Sequence, residues 1–170
     1  MSVREILKFP DKRLRKVAKP VQKFDDYLDI LINDMFETMY DANGVGLAAP
    51  QIAIDLRLSV IDVKGDKSEQ IVIANPEIIA SEGEIEYQEG CLSVPGAFDT
   101  VIRAQTVTVR AQDRFGKFFE MTSEGLLAEC FQHEIDHLNG KLFIDLLSPL
   151  KRTMVKRKLD KFKRQQLRKS

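Results

Sequence analysis

The chain has 170 residues, enough for one domain with a substantial core. Hydrophobic residues make up 44% and charged residues 31%, an ordinary globular balance, and no apolar run approaches a membrane span. The start, "MSVREILKFPDKRLRK", lacks the apolar stretch and cleavage site of a signal peptide, so a cytoplasmic protein is expected. Net charge is zero but unevenly placed. Residues 151–170 hold ten Lys/Arg against the single acid Asp160, and the rest hold 16 Lys/Arg against 25 Asp/Glu.

In chain order, the first clear element is a helix of about 16 residues in "DDYLDILINDMFETMYDANG". Leu28, Leu31, Ile32, Met35, Phe36 and Met39 repeat at the helical period; Asp25 or Asp26 caps the start, and Asn43-Gly44 ends it. Strands are predicted at Leu56–Val63, at Ile71–Ala74 and in part of Ile78–Tyr87. "TVTVRAQDRFGKFFEM" reads as a hairpin turning at Asp113–Gly116. A helix follows, entered at Ser123-Glu124 as cap and first-turn acid, and a last helix starts near Ser148 with Pro149 in its first turn. The expected fold is α+β: mostly antiparallel sheets around the helix that follows Ser123, with N-terminal and C-terminal helices. Residues 1–147 would form the main body and 148–170 a basic C-terminal helix of the same domain.

That middle helix contains "CFQHEIDHLNG", with both histidines of the chain. One helical turn apart, His133 and His137 project within about 40° of each other and can share a metal ion. Glu134 points about 100° away from His133, wrong for the same coordination shell but suited to a water on the metal. Leu126, Leu127, Cys130, His133, Glu134, His137 and Leu138 make one arc of the helix; Glu129, Gln132, Asp136 and Asn139 make the other, expected to be solvated. No Lys or Arg lies on the inner arc to pair with a buried Glu134.

A catalytic metal needs a third protein ligand and an open position. Downstream of His137 there is no histidine, and the only acids are Asp145 and Asp160, of which Asp145 is a weak candidate. Cys130 lies a turn N-terminal to His133, too far for a metal–sulfur bond of about 2.3 Å, and reads as a packed apolar residue. Cys91, in the shaped segment "EGCLSVPG", is the better candidate. A second glycine segment, "NGVGLAAPQ", permits close backbone approach at Gly44 and Gly46 and ends in the amide of Gln51.

Together, "GVGLAAPQ", "EGCLSVPG" and "QHEIDHLNG", in that order, resemble the three signature motifs of the peptide deformylases. The resemblance extends through "LRKVAKPV", "NDMFETMY", "NPEI", "EGLLAE" and "GKLFIDLLSPLK", and points to the bacterial type with a charged C-terminal helix. It implies Cys91, His133 and His137 as metal ligands, with Fe2+ as the native metal and Zn2+, Ni2+ or Co2+ as substitutes. It implies Glu134 as general base and acid, and Gln51 with the Leu92 N–H as holders of the substrate carbonyl oxygen. The expected reaction is hydrolysis of the N-formyl group from the N-terminal formylmethionine of nascent polypeptides, with formate released. The peptide would pair with backbone near Val45, Gly46, Glu89 and Gly90. Its methionine would enter an apolar pocket near Val45, Tyr87, Leu126 and Cys130, with Phe98 over the residues beyond. The basic helix would dock on the ribosome near the peptide exit, and the protein would be a monomer without membrane contact. Two other readings differ in what they require. A zinc peptidase needs a downstream Glu or His ligand, and a nucleic-acid module with a structural metal needs a fourth ligand; neither is visible in the sequence.

Overall fold

In the computed structural model, which describes residues 2–169, three helices and two antiparallel sheets follow one another as α1 (Asp26–Asp41), β1 (Gly46–Ala48), β2 (Leu58–Ile61), β3 (Ile71–Glu82), β4 (Ile85–Cys91), β5 (Val94–Arg103), β6 (Thr106–Gln112), β7 (Phe118–Glu124), α2 (Gly125–Leu138) and α3 (Pro149–Lys169). Five strands form one sheet in the order β1-β2-β3-β6-β7, and β4 and β5 pair as a separate hairpin. The α+β expectation holds.

Asp25 caps α1, its side chain accepting from the Leu28 N–H, and the expected apolar stripe of that helix is buried against β1 and β2. β3 runs through Asn75-Pro76, where the sequence suggests a break. The ladder to β6 shifts register there instead, and Asn75, with φ +50°, ties the bulge to Val21 and Gln112 through its side chain. β5 is not among the expected elements. Its glycine and proline are accommodated at the start of a hairpin strand, and a register shift lies between Gly90 and Cys91. The expected turn at Asp113–Gly116 joins β6 to β7.

The start of α2 differs from expectation. Ser123 and Glu124 end β7; Glu124 is the cap residue without a side-chain cap bond, and Gly125 turns the chain at φ +68°. The outer arc of α2 is also covered. The five-stranded sheet packs on one side, against Phe131 and Ile135. On the other side Gln132 is tied to both backbone groups of Ala104, just after the β4–β5 hairpin, and Asp136 pairs with Arg103, the last residue of β5. Glu129 and Gln132 are therefore buried, and Asn139 alone of that arc is exposed. In α3, Val155 and Leu159 are buried, Phe162 is half-buried, and the Lys/Arg around them face outward or are half-buried.

Candidate metal centre

Cys91 ends β4, and His133 and His137 lie one turn apart on α2, so the hairpin and the helix bring the three side chains together. Cys91 Sγ is 3.3 Å from His137 Nε2, which is 3.2 Å from His133 Nε2. All three donor atoms lie within 4.8 Å of one another. A tetrahedral ion with ordinary metal–sulfur and metal–nitrogen bonds separates its ligands by about 3.6 Å (S to N) and about 3.3 Å (N to N). The donor set fits a first-row divalent metal without rearrangement, and three ligands leave one tetrahedral position open.

The rest of the chain holds these ligands in place. His133 turns its Nδ1 to Glu89 Oε1, 2.8 Å away, which directs Nε2 toward the centre. Glu89 in turn receives two bonds from the Arg103 guanidinium, at 2.7 and 2.8 Å, and Arg103 reaches on to Asp136 at 2.6 Å. Burial would raise the pKa of Glu89, but the bonds from Arg103 and His133 outweigh it and keep the carboxylate charged. Burial works against a charge on His133, yet its bonds to Cys91 and Glu89 hold its pKa well above the ordinary imidazole value. Burial, with the charges of His133 and Arg103 nearby, holds His137 well below it. His137 Nδ1 is buried without a hydrogen-bond partner among the described residues.

A cavity of about 590 Å³ opens beside the three ligands. Glu134 lines it at 3% exposure and accepts from Ser59 Oγ at 3.4 Å; burial above all pushes its pKa up to about 7. Gly46 in β1 leaves the space this carboxyl occupies, since a Cβ there would sit 2.7 Å from Glu134 Oε2. Gln51 is oriented by the Ala48 N–H, which donates to its Oε1 at 2.9 Å, so its Nε2 points toward Ser93 Oγ at 3.0 Å and Cys91 Sγ at 3.8 Å. Leu92 stands in the turn between β4 and β5, its carbonyl accepting from Lys8 Nζ at 3.0 Å.

Val45, Gly46, Glu89, Gly90, Leu126 and Cys130 all line this cavity, and so does Phe98, which packs over Gly90. Tyr87 does not; its hydroxyl donates to the Gly125 carbonyl at 3.1 Å on the outer side. β4 has a strand partner on one edge only, since β5 is the other member of its two-stranded sheet, and alternate residues along it point to opposite faces. Cys91 and Glu89 therefore share a face while Gln88 and Gly90 take the other. Cys130 is buried among core residues, and burial raises its thiol pKa. Asp145 is engaged elsewhere, with Arg15 and the Leu142 N–H.

From sequence, Glu89 is expected to act only through its backbone and Glu129 to be solvated, and nothing singles out Arg103, Ser59 or Ser93. Glu89 was recoverable, since in a strand it must share a face with Cys91 two residues on. Arg103 was not, because its role depends on the β4–β5 pairing.

The Polypeptide deformylase family model matches residues 3–153 of the chain. A peptide deformylase of Hahella chejuensis is 58% identical over 162 residues, covering 95% of this chain and 96% of that protein. One from Azotobacter vinelandii is 56% identical over 166 residues, covering 97% and 99%. The crystal structure of a peptide deformylase from Legionella pneumophila superposes with a TM-score of 0.98 at 72% identity, covering 99% of this chain and all of that one. Nearly end-to-end similarity in both sequence and fold, around a centre that fits a divalent metal, places this chain in the peptide deformylase family.

Proposed function

We propose that Glu134 is the proton carrier of a formyl-peptide hydrolysis carried out in the cavity beside Cys91, His133 and His137. Membership of the family makes the chain a metal-dependent hydrolase that removes the N-formyl group from nascent peptides. The assignment of residues rests on one observation above the others: a buried carboxyl lines the cavity next to the three-ligand centre without belonging to it. Cys91, His133 and His137 would hold a divalent metal, which would supply Lewis acidity and make water a stronger acid near neutral pH.

Glu134 takes a proton from the water that attacks the formyl carbon, and returns it to the amine as the C–N bond breaks, leaving formate and a free N-terminal methionine. Burial raises the pKa of this carboxyl, the direction that suits a group which must both take and return a proton. Ser59 and the bare backbone of Gly46 hold the carboxyl in one position. Gln51 Nε2, fixed by Ala48, and the N–H of Leu92 donate to the carbonyl oxygen as negative charge develops on it. Both donors are in place before substrate arrives, so little reorganisation accompanies the charge.

The peptide lies extended across the cavity. β1 is an edge strand of the five-stranded sheet, and β4 is paired only with β5, so Val45-Gly46 and Glu89-Gly90 can offer backbone groups to it. The first side chain enters among Val45, Leu126 and Cys130, and Phe98 covers the residues that follow. Fe2+ is the native metal of this reading, with Zn2+, Ni2+ or Co2+ able to occupy the same three donors. Residues 1–147 form the catalytic body. The basic helix, 148–170, belongs to the same domain through the packing of Val155 and Leu159, and its outward cations dock on ribosomal RNA near the peptide exit. The protein works as a cytoplasmic monomer.

The test is formate release from formyl-Met-Ala-Ser, compared with cleavage of the same peptide without its formyl group, on protein purified without oxygen and analysed for metal. Cleavage of the unblocked peptide in place of formate release would replace this reading by a peptidase.

A further inference from the structure

The wall that would receive the first side chain contains a residue that does not suit a methionine pocket. Glu129 lines the cavity beside Leu126 and Cys130, and only 8% of it is exposed. Its position one turn before His133 on α2 is set by the helix itself. Among the described residues its carboxyl makes no hydrogen bond and no ion pair. Arg103, the nearest buried cation of the hairpin, is fully engaged by Glu89 and Asp136. The carboxyl oxygens are not among the buried unpaired atoms, so they still reach solvent, and an incoming donor can take the place of the water that otherwise satisfies them.

We propose that Glu129 is a specificity-determining residue of the first-side-chain pocket, whose carboxyl accepts a hydrogen bond from an incoming side chain of methionine's length that ends in a donor. The inference rests on the proposed assignment of this cavity to the formyl-peptide substrate. Ionised or neutral, the carboxyl keeps an acceptor oxygen, so the inference is the same for both protonation states. Glutamine is the side chain that fits the description most simply. It is unbranched, reaches about as far as methionine, and ends in an amide with two donors. The thioether of methionine has no donor, so a methionine peptide leaves Glu129 unpaired when it enters. A pocket that can bond a donor discriminates against the analogue lacking it, and an all-apolar pocket does the reverse. The chain should therefore tolerate formyl-glutaminyl peptides better than the apolar neighbours Val45, Leu126 and Cys130 alone would allow.

The experiment compares kcat/KM for formyl-Met-Ala-Ser and formyl-Gln-Ala-Ser, by formate release, in the wild-type chain and in Glu129→Leu, Glu129→Ala and Glu129→Gln. Metal content and thermal unfolding of each variant show that the site is assembled. Removal of the acceptor in Glu129→Leu should lower the glutamine-to-methionine ratio about tenfold, mostly through KM, since the lost contact is made in the ground state as well. Glu129→Gln retains an acceptor oxygen and should keep the ratio within about threefold of wild type. Glu129→Ala carries the same test if the leucine variant does not fold. A ratio that moves less than threefold in the folded acceptor-free variant overturns the inference while leaving the hydrolase reading intact. Absence of formate from both peptides with metal-loaded wild-type protein would overturn that reading, and the inference with it.

Discussion

Glu89 Oε1 lies 2.8 Å from Nδ1 of His133, so a carboxylate on the β4–β5 hairpin sets the orientation of a ligand on α2. Two substitutions separate the parts of this link. Glu89→Ala frees the imidazole to rotate and strands Arg103, and outer partners of this kind typically contribute about 10- to 100-fold in metal affinity. Competition with a chelator should show that loss. Arg103→Met leaves Glu89 charged, buried and without its main partner, a change that costs about 3–5 kcal/mol. Chemical denaturation should show it, and a variant as stable as wild type would mean that the hairpin is held by other contacts.

Gly46 and Glu134 are similarly interdependent. A Cβ at position 46 would stand 2.7 Å from Glu134 Oε2 and 3.0 Å from its Cδ, and Glu134 is too enclosed to move aside freely. Gly46→Ala should therefore lower kcat at least tenfold with metal content unchanged. Glu134→Ala should lower it by about 10²- to 10⁴-fold, the usual contribution of a general acid–base group. Equal activity of Gly46→Ala and wild type would show that the carboxyl does not need this position.

The two cysteines should behave oppositely. Cys91→Ser replaces the sulfur that faces His137 and should bind metal poorly. Cys130→Ser changes a thiol buried in the core beside Phe131 and Ile135, and should retain metal while losing about 1–3 kcal/mol of stability for the buried hydroxyl. Metal analysis and thermal unfolding of both proteins decide the matter.

Asp62 makes the acid limb of stability testable. It is fully buried and accepts from Tyr40 Oη at 2.5 Å, from the Gly65 N–H at 2.9 Å and from the Lys67 N–H at 3.0 Å. Burial raises its pKa, but these three bonds outweigh burial and hold it below the ordinary carboxylate value. A group depressed on folding contributes stability that is fully present above its unfolded pKa of about 4 and is lost as pH falls through the lower folded value. Asp62→Asn should cost about 1–3 kcal/mol at pH 7, and the gap to wild type should close below about pH 4. Urea midpoints at neutral and acid pH measure the gap; a constant gap would assign the cost to packing.

The basic helix gives a prediction that leaves the chemistry untouched. Lys156, Arg157, Lys163 and Arg164 are exposed, while Val155 and Leu159 carry the packing of α3. Replacing the four cations by Gln should leave hydrolysis of a free tripeptide unchanged. It should weaken ribosome binding and flatten its salt dependence, because fewer counterions are displaced from phosphates. Unchanged ribosome affinity across a salt titration would leave the helix as a solvated surface.

By itself the sequence determined the elements and the chemistry wherever the cause was local. The α1 stripe and its Asp25 cap, the β6–β7 turn, and the one-turn spacing of His133 and His137 follow from helix and turn geometry alone, which acts over a few residues. The motif order around Cys91 and Gln51 added the family. Tertiary structure decided what depends on which elements face each other. Glu129 and Gln132 read as a solvated face because helix periodicity distinguishes two arcs but cannot say how many of them are covered; a second layer, the β4–β5 hairpin and the residues after it, buries the outer arc as well. Arg103 became the partner of Glu89 only through the register of that hairpin, and Ser123 lost its expected capping role because β7 runs to Glu124 before the chain turns. Pairing across a sheet and packing between layers are long-range, so a burial pattern read along one helix could not contain them.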